Sequence, residues 1–345
     1  MSCENSLPLG AQAPCSPERF SVHFLSSGSR GNCTLVEAGD ERFLIDFGLT
    51  PQLFIATLAA HGVVLDYSRR RGEVLMRRRA NPCTPPLSAV VVTHTHSDHM
   101  NDRTLRVLRE NGVRVIVHEE HAAELATNRD FREMTDEGLA STYHTNDFSV
   151  TRDTRATPLA VSHDAVATHG FVFRHRAEGT PVGQRVKFSY LADLGFFRPE
   201  MADHVRDSDI IALEFNHDLE MERNSPRPRT LVNRVLGNFG HLSNEQAAQA
   251  LRHVLGQSRR MPRFLAALHL SSDCNRPELA EASAREVLNE ASPETQLIVT
   301  RQRIYAGSAS LAAHPARVGE FGIEPKARPR RFARPGIQQV LELEF

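Results

Sequence analysis

The 345-residue sequence contains no tryptophan and only two lysines, Lys187 and Lys326. Nearly all of its basic residues are therefore arginines, and the formal net charge is −1. Since no overall positive field attracts the chain to nucleic acid, any such binding must depend on local features. The sequence also lacks a run of about 18 consecutive apolar residues, the length that crosses a bilayer. No membrane-spanning segment is predicted.

Cysteine is scarce, and the spacing of the cysteines is unlike that of disulfide-bonded domains or of zinc sites with cysteine ligands. The cysteines are odd in number, widely spaced and never in a CxxC pair, which argues against a disulfide framework and against a thiolate zinc site. The polar residues 1–20 contain no apolar core of a secretory signal. Together these absences predict a soluble protein of a reducing compartment, the cytoplasm. The five cysteines are Cys3, Cys15, Cys33, Cys83 and Cys274.

Short apolar strands and helical segments alternate along most of the chain. A strand-rich segment is followed by one that alternates strands and helices, and this order then occurs a second time. Such an order predicts an α/β domain with two sheets sandwiched between helices. We expect this domain to span residues 19–308, after a disordered lead-in at 1–18 and before an Arg/Pro-rich tail at 309–345. A basic insertion at about 67–86 is either a solvated surface loop or a nucleic-acid contact.

The segment HTHSDH crowds three imidazoles and a carboxylate onto the end of an apolar run. In an extended chain alternate side chains share one face, so His94, His96 and Asp98 would point the same way. A turn into the following helix would let His99 approach from another angle. Imidazole and carboxylate together suit zinc, manganese or iron(II). Because one ion rarely takes four ligands from one segment, we predict two adjacent ions.

Three later apolar runs also stop at a candidate metal ligand. PLAVSH ends at His163, FSYLAD at Asp193 and FLAALH at His269. In layered α/β folds, sites form where strand ends meet loops. The recurrence therefore predicts one metal-lined rim built from several strand ends.

These motifs resemble the metallo-β-lactamase superfamily. HTHSDH matches its HxHxDH signature, and the later His, Asp and His follow in that family's order across roughly residues 20–305. The resemblance implies a four-layer αββα sandwich, and hydrolysis by a hydroxide that bridges two divalent ions, zinc or manganese, with iron possible. It also implies which residues hold the ions: His94, His96 and His163 the first, Asp98, His99 and His269 the second, with Asp193 bridging both.

A further tract, GHLSNEQAAQALRHV followed by ALHLSSDCN, is similar to one in RNase Z-type phosphodiesterases. That similarity implies that His241 is a proton donor or phosphate contact and that Glu214 orients it. The catalytic residues would then be Asp98, His241 and Glu214. A structural role for His241 stays open, because Ser243 and a glutamine three residues later have the spacing of a helix capping box.

Taken together, SSGSRGNCT, SHDA, FNHDLEM, GHLSN and LHLS look like the stand-alone bacterial YycJ/WalJ (VicX) group. This resemblance implies 5′-to-3′ exonuclease action on duplex DNA. The basic insertion and the Arg/Pro tail depart from the group's pattern. Ser29 and Asn32 lie in a polar glycine turn whose amides could bind phosphate or simply form a tight turn. His217 is a third candidate phosphate contact, or a residue that only makes loop hydrogen bonds.

Three alternatives to a DNA nuclease stay open. They are a hydrolase of a small thioester or lactone, an RNA-processing endonuclease, and a binding protein with a vestigial metal site. The sequence also supports two secondary expectations. Asp164 would fix the tautomer of a ligand histidine, and His118 and His121 would be exposed.

Overall fold

The computed structural model describes residues 19–66, 86–176 and 185–312. The expected lead-in, nearly all of the basic insertion and most of the Arg/Pro tail lie outside these residues. The last described strand reaches Ala312, beyond position 308, where the domain was expected to end.

The strands alternate with helices much as the apolar runs predict. Their bounds are β1 (Arg19–Ser26), β2 (Cys33–Ala38), β3 (Glu41–Ile45), β4 (Leu87–Val91), β5 (Arg114–His118), β6 (Ala140–Tyr143), β7 (Phe148–Ser149), β8 (Thr154–Ala160), β9 (His169–His175), β10 (Val186–Leu191), β11 (Ile210–Glu214), β12 (Phe264–Leu268), β13 (Gln296–Val299) and β14 (Gly307–Ala312).

Within the described residues these strands form two mixed sheets. The first has the order β14-β1-β2-β3-β4-β5-β6, and the second β13-β12-β11-β10-β9-β8-β7. The first sheet is antiparallel from β14 to β3 and parallel from β3 to β6. In the second sheet β10 to β13 are parallel. Because β8 and β10 both pair antiparallel with β9, those two strands run in the same direction.

Helices cover the outer face of each sheet. The helices of the described residues are α1 (Pro51–Ala60), α2 (Asp102–Glu110), α3 (Glu119–Leu125), α4 (Arg129–Asp136), α5 (Met201–Val205), α6 (Leu219–Arg223), α7 (Arg229–Val235), α8 (Asn244–Gln257) and α9 (Pro277–Ala291). The first four pack on the first sheet, and α5, α8 and α9 pack on the second. In the described part of the chain, no helix has the length and apolar character needed to span a membrane.

Successive side chains of a strand point to opposite faces of its sheet, which explains how each sheet packs between the other sheet and a layer of helices. In β4, Ala89 and Val91 face the other sheet, whereas Val90 faces the helices. In β12, Phe264 faces the other sheet and Leu265 faces the helices. Strands buried on both faces must be apolar at every position, which is why these runs are continuous. The predicted α/β sandwich, with layers in the order αββα, is confirmed.

Candidate metal centre

The candidate ligands lie just after strand ends at one edge of the two sheets. His94 follows β4, His163 follows β8, Asp193 follows β10 and His269 follows β12, while Glu214 is the last residue of β11. The four strands of the second sheet all run in the same direction, so their carboxyl ends meet at the same edge. The fold thus gathers segments that are far apart in the sequence.

A first group of donors consists of three histidines. One ring nitrogen from each of His94, His96 and His163 lies within 4.8 Å of the others. The His94 ring centroid is 4.6 Å from that of His96 and 5.2 Å from that of His163. His94 and His163 are buried, whereas the His96 side chain is 36% exposed. This group is therefore open to solvent on the His96 side.

A second group contains Asp98, His99 and His269, whose donor atoms also lie within 4.8 Å of one another. His269 Nε2 is 3.5 Å from Asp98 Oδ2. Asp193 lies between the two groups, because its carboxylate shares a 4.8 Å cluster with His94 and His99. The structure thus brings together all seven residues that the sequence suggested as ligands.

The local geometry of the HTHSDH segment differs from the expectation. Strand β4 ends at Val91, so His94, His96 and Asp98 do not alternate along an extended strand. The backbone N–H groups of His99 and Met100 both donate to the His96 carbonyl, at 2.8 and 2.9 Å. This turn, rather than strand alternation, brings the side chains together, because an extended segment would carry its last donors away from the first.

Two buried atoms of the candidate metal ligands are unsatisfied. His94 Nε2 and Asp193 Oδ2 have no hydrogen-bond partner among the described residues, although Asp193 Oδ2 is 2.9 Å from His99 Nε2. Buried polar atoms normally have partners, so this pair needs an explanation. Imidazole and carboxylate are ligands for divalent cations, and an ion here would satisfy both atoms. The site fits divalent metal binding.

The electrostatics of the site support the same conclusion. Burial, with a contribution from neighbouring His99, holds the pKa of His94 well below its usual range, so the ring is neutral as a metal ligand must be. Burial alone would lower the pKa of His269, but Asp193, Asp98 and Glu214 raise it to about 10. Buried carboxylates here therefore attract positive charge, which a cation would supply.

Asp46 is a site residue that the sequence reading missed. It is fully buried after β3, and its Oδ2 lies 2.7 Å from His99 Nδ1. Its Oδ1 accepts a hydrogen bond from the Thr93 backbone N–H at 2.8 Å. Asp46 thus holds the His99 ring with Nε2 toward the second donor group. The signal was present, since FLID is another apolar run that ends in an acidic residue.

Three non-glycine residues of the site adopt left-handed backbone conformations. The φ angles are +61° for Asp46, +57° for Asp193 and +55° for His269. Such conformations cost on the order of 1–3 kcal/mol each and persist where the surroundings determine them. In each case the conformation occurs just after a strand, where the chain turns to direct a side chain into the site.

Partly exposed His241 and fully buried Glu214 form a pair beside the ligand groups. His241 Nδ1 is 2.8 Å from Glu214 Oε1, and Glu214 Oε2 accepts from the Leu194 and Leu242 N–H groups at 2.8 and 3.2 Å. Burial raises the pKa of Glu214, but His241 and His269 outweigh it and lower the value to about 2. Glu214 is therefore a carboxylate at neutral pH.

The helix cap next to His241 is formed by other residues. The capping box of α8 is formed, with Ser243 and Gln246 exchanging hydrogen bonds at 2.8 and 3.2 Å. His241 lies outside this box, and its ring centroid is 5.1 Å from that of His163. The cap therefore leaves the His241 side chain available to the site.

The three candidate phosphate contacts have different surroundings. Ser29 is exposed in the glycine turn. Asn32 is buried, and its Nδ2 lies 3.1 Å from the Asp98 carbonyl and 2.9 Å from His99 Nε2. His217 is also buried, and neither of its ring nitrogens has a hydrogen-bond partner among the described residues. Asn32 thus braces the ligand segment.

Two secondary expectations were wrong. His118 and His121 are buried rather than exposed, and His121 Nε2 donates to the Ala167 carbonyl at 2.6 Å. Asp164 makes no hydrogen bond to a ligand ring among the described residues, although its Oδ1 is 3.3 Å from His163 Nε2 and 3.7 Å from His96 Nε2. The tautomer of His163 is set instead by the Gly240 carbonyl, 3.1 Å from Nδ1. Each outcome depends on contacts between segments far apart in the chain.

Residues 42–262 match a family model described as a beta-lactamase superfamily domain, which is more than half of the chain. The chain belongs to the β-lactamase superfamily. Together with the clustered histidines and aspartates, this membership makes the protein a metal-dependent hydrolase. The predicted superfamily is thus confirmed, and the matched range contains every candidate ligand except His269.

Individual relatives are similar over most of the chain. Exodeoxyribonuclease WalJ of Streptococcus pneumoniae serotype 2 (strain D39) is 28% identical over 272 residues, covering 79% of this chain and 89% of the relative. Exodeoxyribonuclease YycJ of Bacillus anthracis is 26% identical over 279 residues, covering 78% and 90%. A long-form RNase Z from yeast shares the fold, with a TM-score of 0.55, 11% identity, and coverage of 86% of this chain and 42% of that one.

Proposed function

We propose that this protein is a metal-dependent nuclease that degrades duplex DNA from the 5′ end. The observation that carries the proposal is the His241–Glu214 pair, at 2.8 Å, beside two clusters of metal-ligating side chains. A histidine held by a buried carboxylate next to a dinuclear donor set suits proton transfer during phosphodiester cleavage. The names of the two bacterial relatives favour DNA over RNA and exonuclease action over internal cleavage.

The proposed ligand sets follow the two donor groups. His94, His96 and His163 would hold one divalent ion, Asp98, His99 and His269 the other, and Asp193 would contact both. When bound, such ions lower the pKa of a water molecule and stabilise the charge that develops on phosphorus. Zinc and manganese suit these ligands best, and iron(II) is compatible with them.

Glu214 and His241 are proposed to move a proton. Glu214 occupies Nδ1 of the ring, so Nε2 is left for the substrate. With Nδ1 bonded to the carboxylate, Nε2 would be the nitrogen that donates a proton to the departing 3′ oxygen. The other product then carries a 5′ phosphate. Glu214 acts here as a positioning residue, and His241 as the group that contacts the reacting atoms.

Substrate binding is proposed to involve the surrounding polar residues. Exposed Ser29 would contact a phosphate, and the His217 ring, whose nitrogens have no hydrogen-bond partner among the described residues, is a second candidate donor. Asn32 would contribute by holding the Asp98 backbone rather than by touching phosphate.

We propose that the hydrolase domain continues to the end of β14, which pairs with β1. Arginines of the segment 67–86 and of the tail would add phosphate contacts, which a steep salt dependence of DNA binding would reveal.

The proposal is tested by a nuclease assay with matched variants. Protein stripped by chelation and reloaded with manganese or zinc should release 5′-phosphorylated mononucleotides from end-labelled duplex DNA, and should hydrolyse bis(p-nitrophenyl) phosphate. His241→Ala should slow DNA cleavage by about 100-fold or more, within the range for loss of a general acid, but should slow hydrolysis of the p-nitrophenyl diester much less, because p-nitrophenolate leaves without a proton. His204→Ala, an exposed position on α5, is the control. Turnover of a thioester or lactone, with no cleavage of DNA, RNA or the diester, would refute the proposal.

A further inference from the structure

Three loops around the metal centre carry exposed apolar side chains. Val166 is 70% exposed, Phe196 39% and Phe239 63%. The first two follow the candidate ligands His163 and Asp193 by three residues, and Phe239 precedes His241 by two. Large apolar side chains that gather at a site and stay in water often mark a surface that a ligand covers. We call these three residues the apolar rim.

The loops of the apolar rim are tied to one another. The Gly195 N–H donates to the Ser162 carbonyl at 2.7 Å, and Ser162 Oγ donates to the Asn238 carbonyl at 2.6 Å. The backbone at Gly195 packs so closely that a β-carbon there would lie 1.9 Å from the Asn238 oxygen. Phe196 and Phe239 therefore belong to loops held in fixed contact, which suits a preformed binding surface.

Charge near the apolar rim favours an anionic ligand over an apolar one. Arg198 is exposed two residues after Phe196 and forms no ion pair within the described part of the chain; its side chain donates to the Ala160 carbonyl at 2.6 Å. An acyl chain carries no negative charge that could pair with the Arg198 guanidinium. A nucleotide has both an apolar ring face and a phosphate, so it matches the combination.

We propose that Phe239, with Phe196 and Val166 beside it, stacks against the base of the nucleotide whose 3′ oxygen leaves. This inference rests on the proposed nuclease function, and it extends that function by naming a residue that binds the terminal base. The position follows from the chain, because Phe239 adjoins the histidine proposed to protonate that oxygen. Aromatic stacking tolerates any base, so the rim would hold the terminal nucleotide without selecting a sequence.

The experiment compares two duplexes of the same sequence, each with a 5′ phosphate. One has a normal first nucleotide, and the other has an abasic tetrahydrofuran residue there. For the wild-type protein, the abasic end should lower kcat/KM for the first cleavage by roughly 5- to 100-fold, the range expected for one stacked base. Phe239→Ala should lower the value on the normal duplex to a similar extent and lose the discrimination between the two.

Two further variants separate stacking from a general loss of structure. Phe239→Tyr keeps an aromatic face and should restore both activity and discrimination, whereas Phe239→Leu should not. Met261→Ala removes a side chain that is 37% exposed near the opposite ends of the strands, before β12, and should change neither.

Several results would overturn the inference. If the Phe239→Ala variant keeps full activity and still discriminates against the abasic end, stacking of Phe239 on the terminal base is excluded. Sedimentation could also show that the wild-type protein is a dimer and the Phe239→Ala variant a monomer. If the two proteins then cleave DNA at equal rates, the apolar rim is a contact with a second copy of the chain. A wild-type protein that cleaves neither duplex would refute the nuclease function itself, whereas cleavage of both at equal rates would refute only the stacking role.

Discussion

His241 Nδ1 lies 2.8 Å from Glu214 Oε1, across 27 residues of sequence. The Glu214 side chain is fully buried, and its second oxygen accepts hydrogen bonds from two backbone N–H groups. The carboxylate is thus fixed by the fold and in turn fixes one nitrogen of the histidine. Such an arrangement orients a proton donor without consuming its reactive nitrogen.

Replacing Glu214 with glutamine should lower kcat for DNA cleavage by about 10- to 100-fold while KM changes little, because orientation and charge are lost but substrate contacts are kept. Since one backbone donor would then face an amide NH₂, we also expect a loss of stability of about 1–3 kcal/mol. Steady-state kinetics and urea unfolding measure the two effects. Glu245→Gln, an exposed change on α8, should alter neither. Equal losses in both variants would exclude the positioning role.

Removing one buried ligand should abolish binding of at least one metal ion. His94→Ala deletes a ring whose Nε2 is unsatisfied within the described residues. The wild-type melting temperature should rise on adding zinc or manganese, since a ligand at 100 times its Kd stabilises the native state by about 2.7 kcal/mol. The variant should show a smaller rise and less metal by elemental analysis. His253→Ala, on the exposed face of α8, is the matched control, and identical metal content in the two variants would contradict the assignment.

A glycine beneath the ligand turn should be irreplaceable. A β-carbon at Gly48 would lie 1.8 Å from the Asp98 carbonyl oxygen, so alanine there must displace the backbone that carries Asp98 and His99. We expect Gly48→Ala to lose about 2 kcal/mol or more of unfolding free energy and to weaken metal binding. In contrast, Gly256 in α8 has nothing within 4 Å of such a carbon, and Gly256→Ala should gain about 0.5–1 kcal/mol. Denaturant unfolding of the two variants checks the opposite signs.

An ion-pair cluster away from the site should shape the acid stability. Burial raises the pKa of Glu37, but His23 and Arg42 outweigh it and lower the value to about 2, from an ordinary 4.5. Because the unfolded chain then binds the proton more readily, the stabilisation is present above about pH 4.5 and is lost as the pH falls toward 2. Partial solvent exposure screens the charges and reduces the effect to about 1–2 kcal/mol.

The Glu37→Gln variant should therefore show a shallower fall in stability with acidification than the wild-type protein. Urea unfolding at several values between about pH 6 and pH 3 gives the difference between the two proteins at each pH. That difference should shrink as the pH falls. A constant difference across the range would show that Glu37 acts only through packing or neutral hydrogen bonds.

Some features of the site were readable because they depend on local pattern. Each suspected ligand follows an apolar run, and such runs become buried strands whose ends reach the edge of a sheet. The same pattern would have revealed Asp46 had it been applied to FLID. The turn that gathers His94 to His99 was not readable, because it is held by backbone contacts with other segments, among them the Asn32 N–H to the Asp98 carbonyl at 2.6 Å.

The sequence by itself determined the kinds of donor atoms, their order along the chain and the alternation that builds two sheets between helices. Only the tertiary structure decided which ring nitrogen faces the metal centre, since the partner that occupies the other nitrogen is 53 residues away for His99 and 77 for His163. It also decided that His118 and His121 are buried. The physical reason is that burial and tautomer depend on which surfaces meet across the fold, and neighbouring residues in the chain do not specify that.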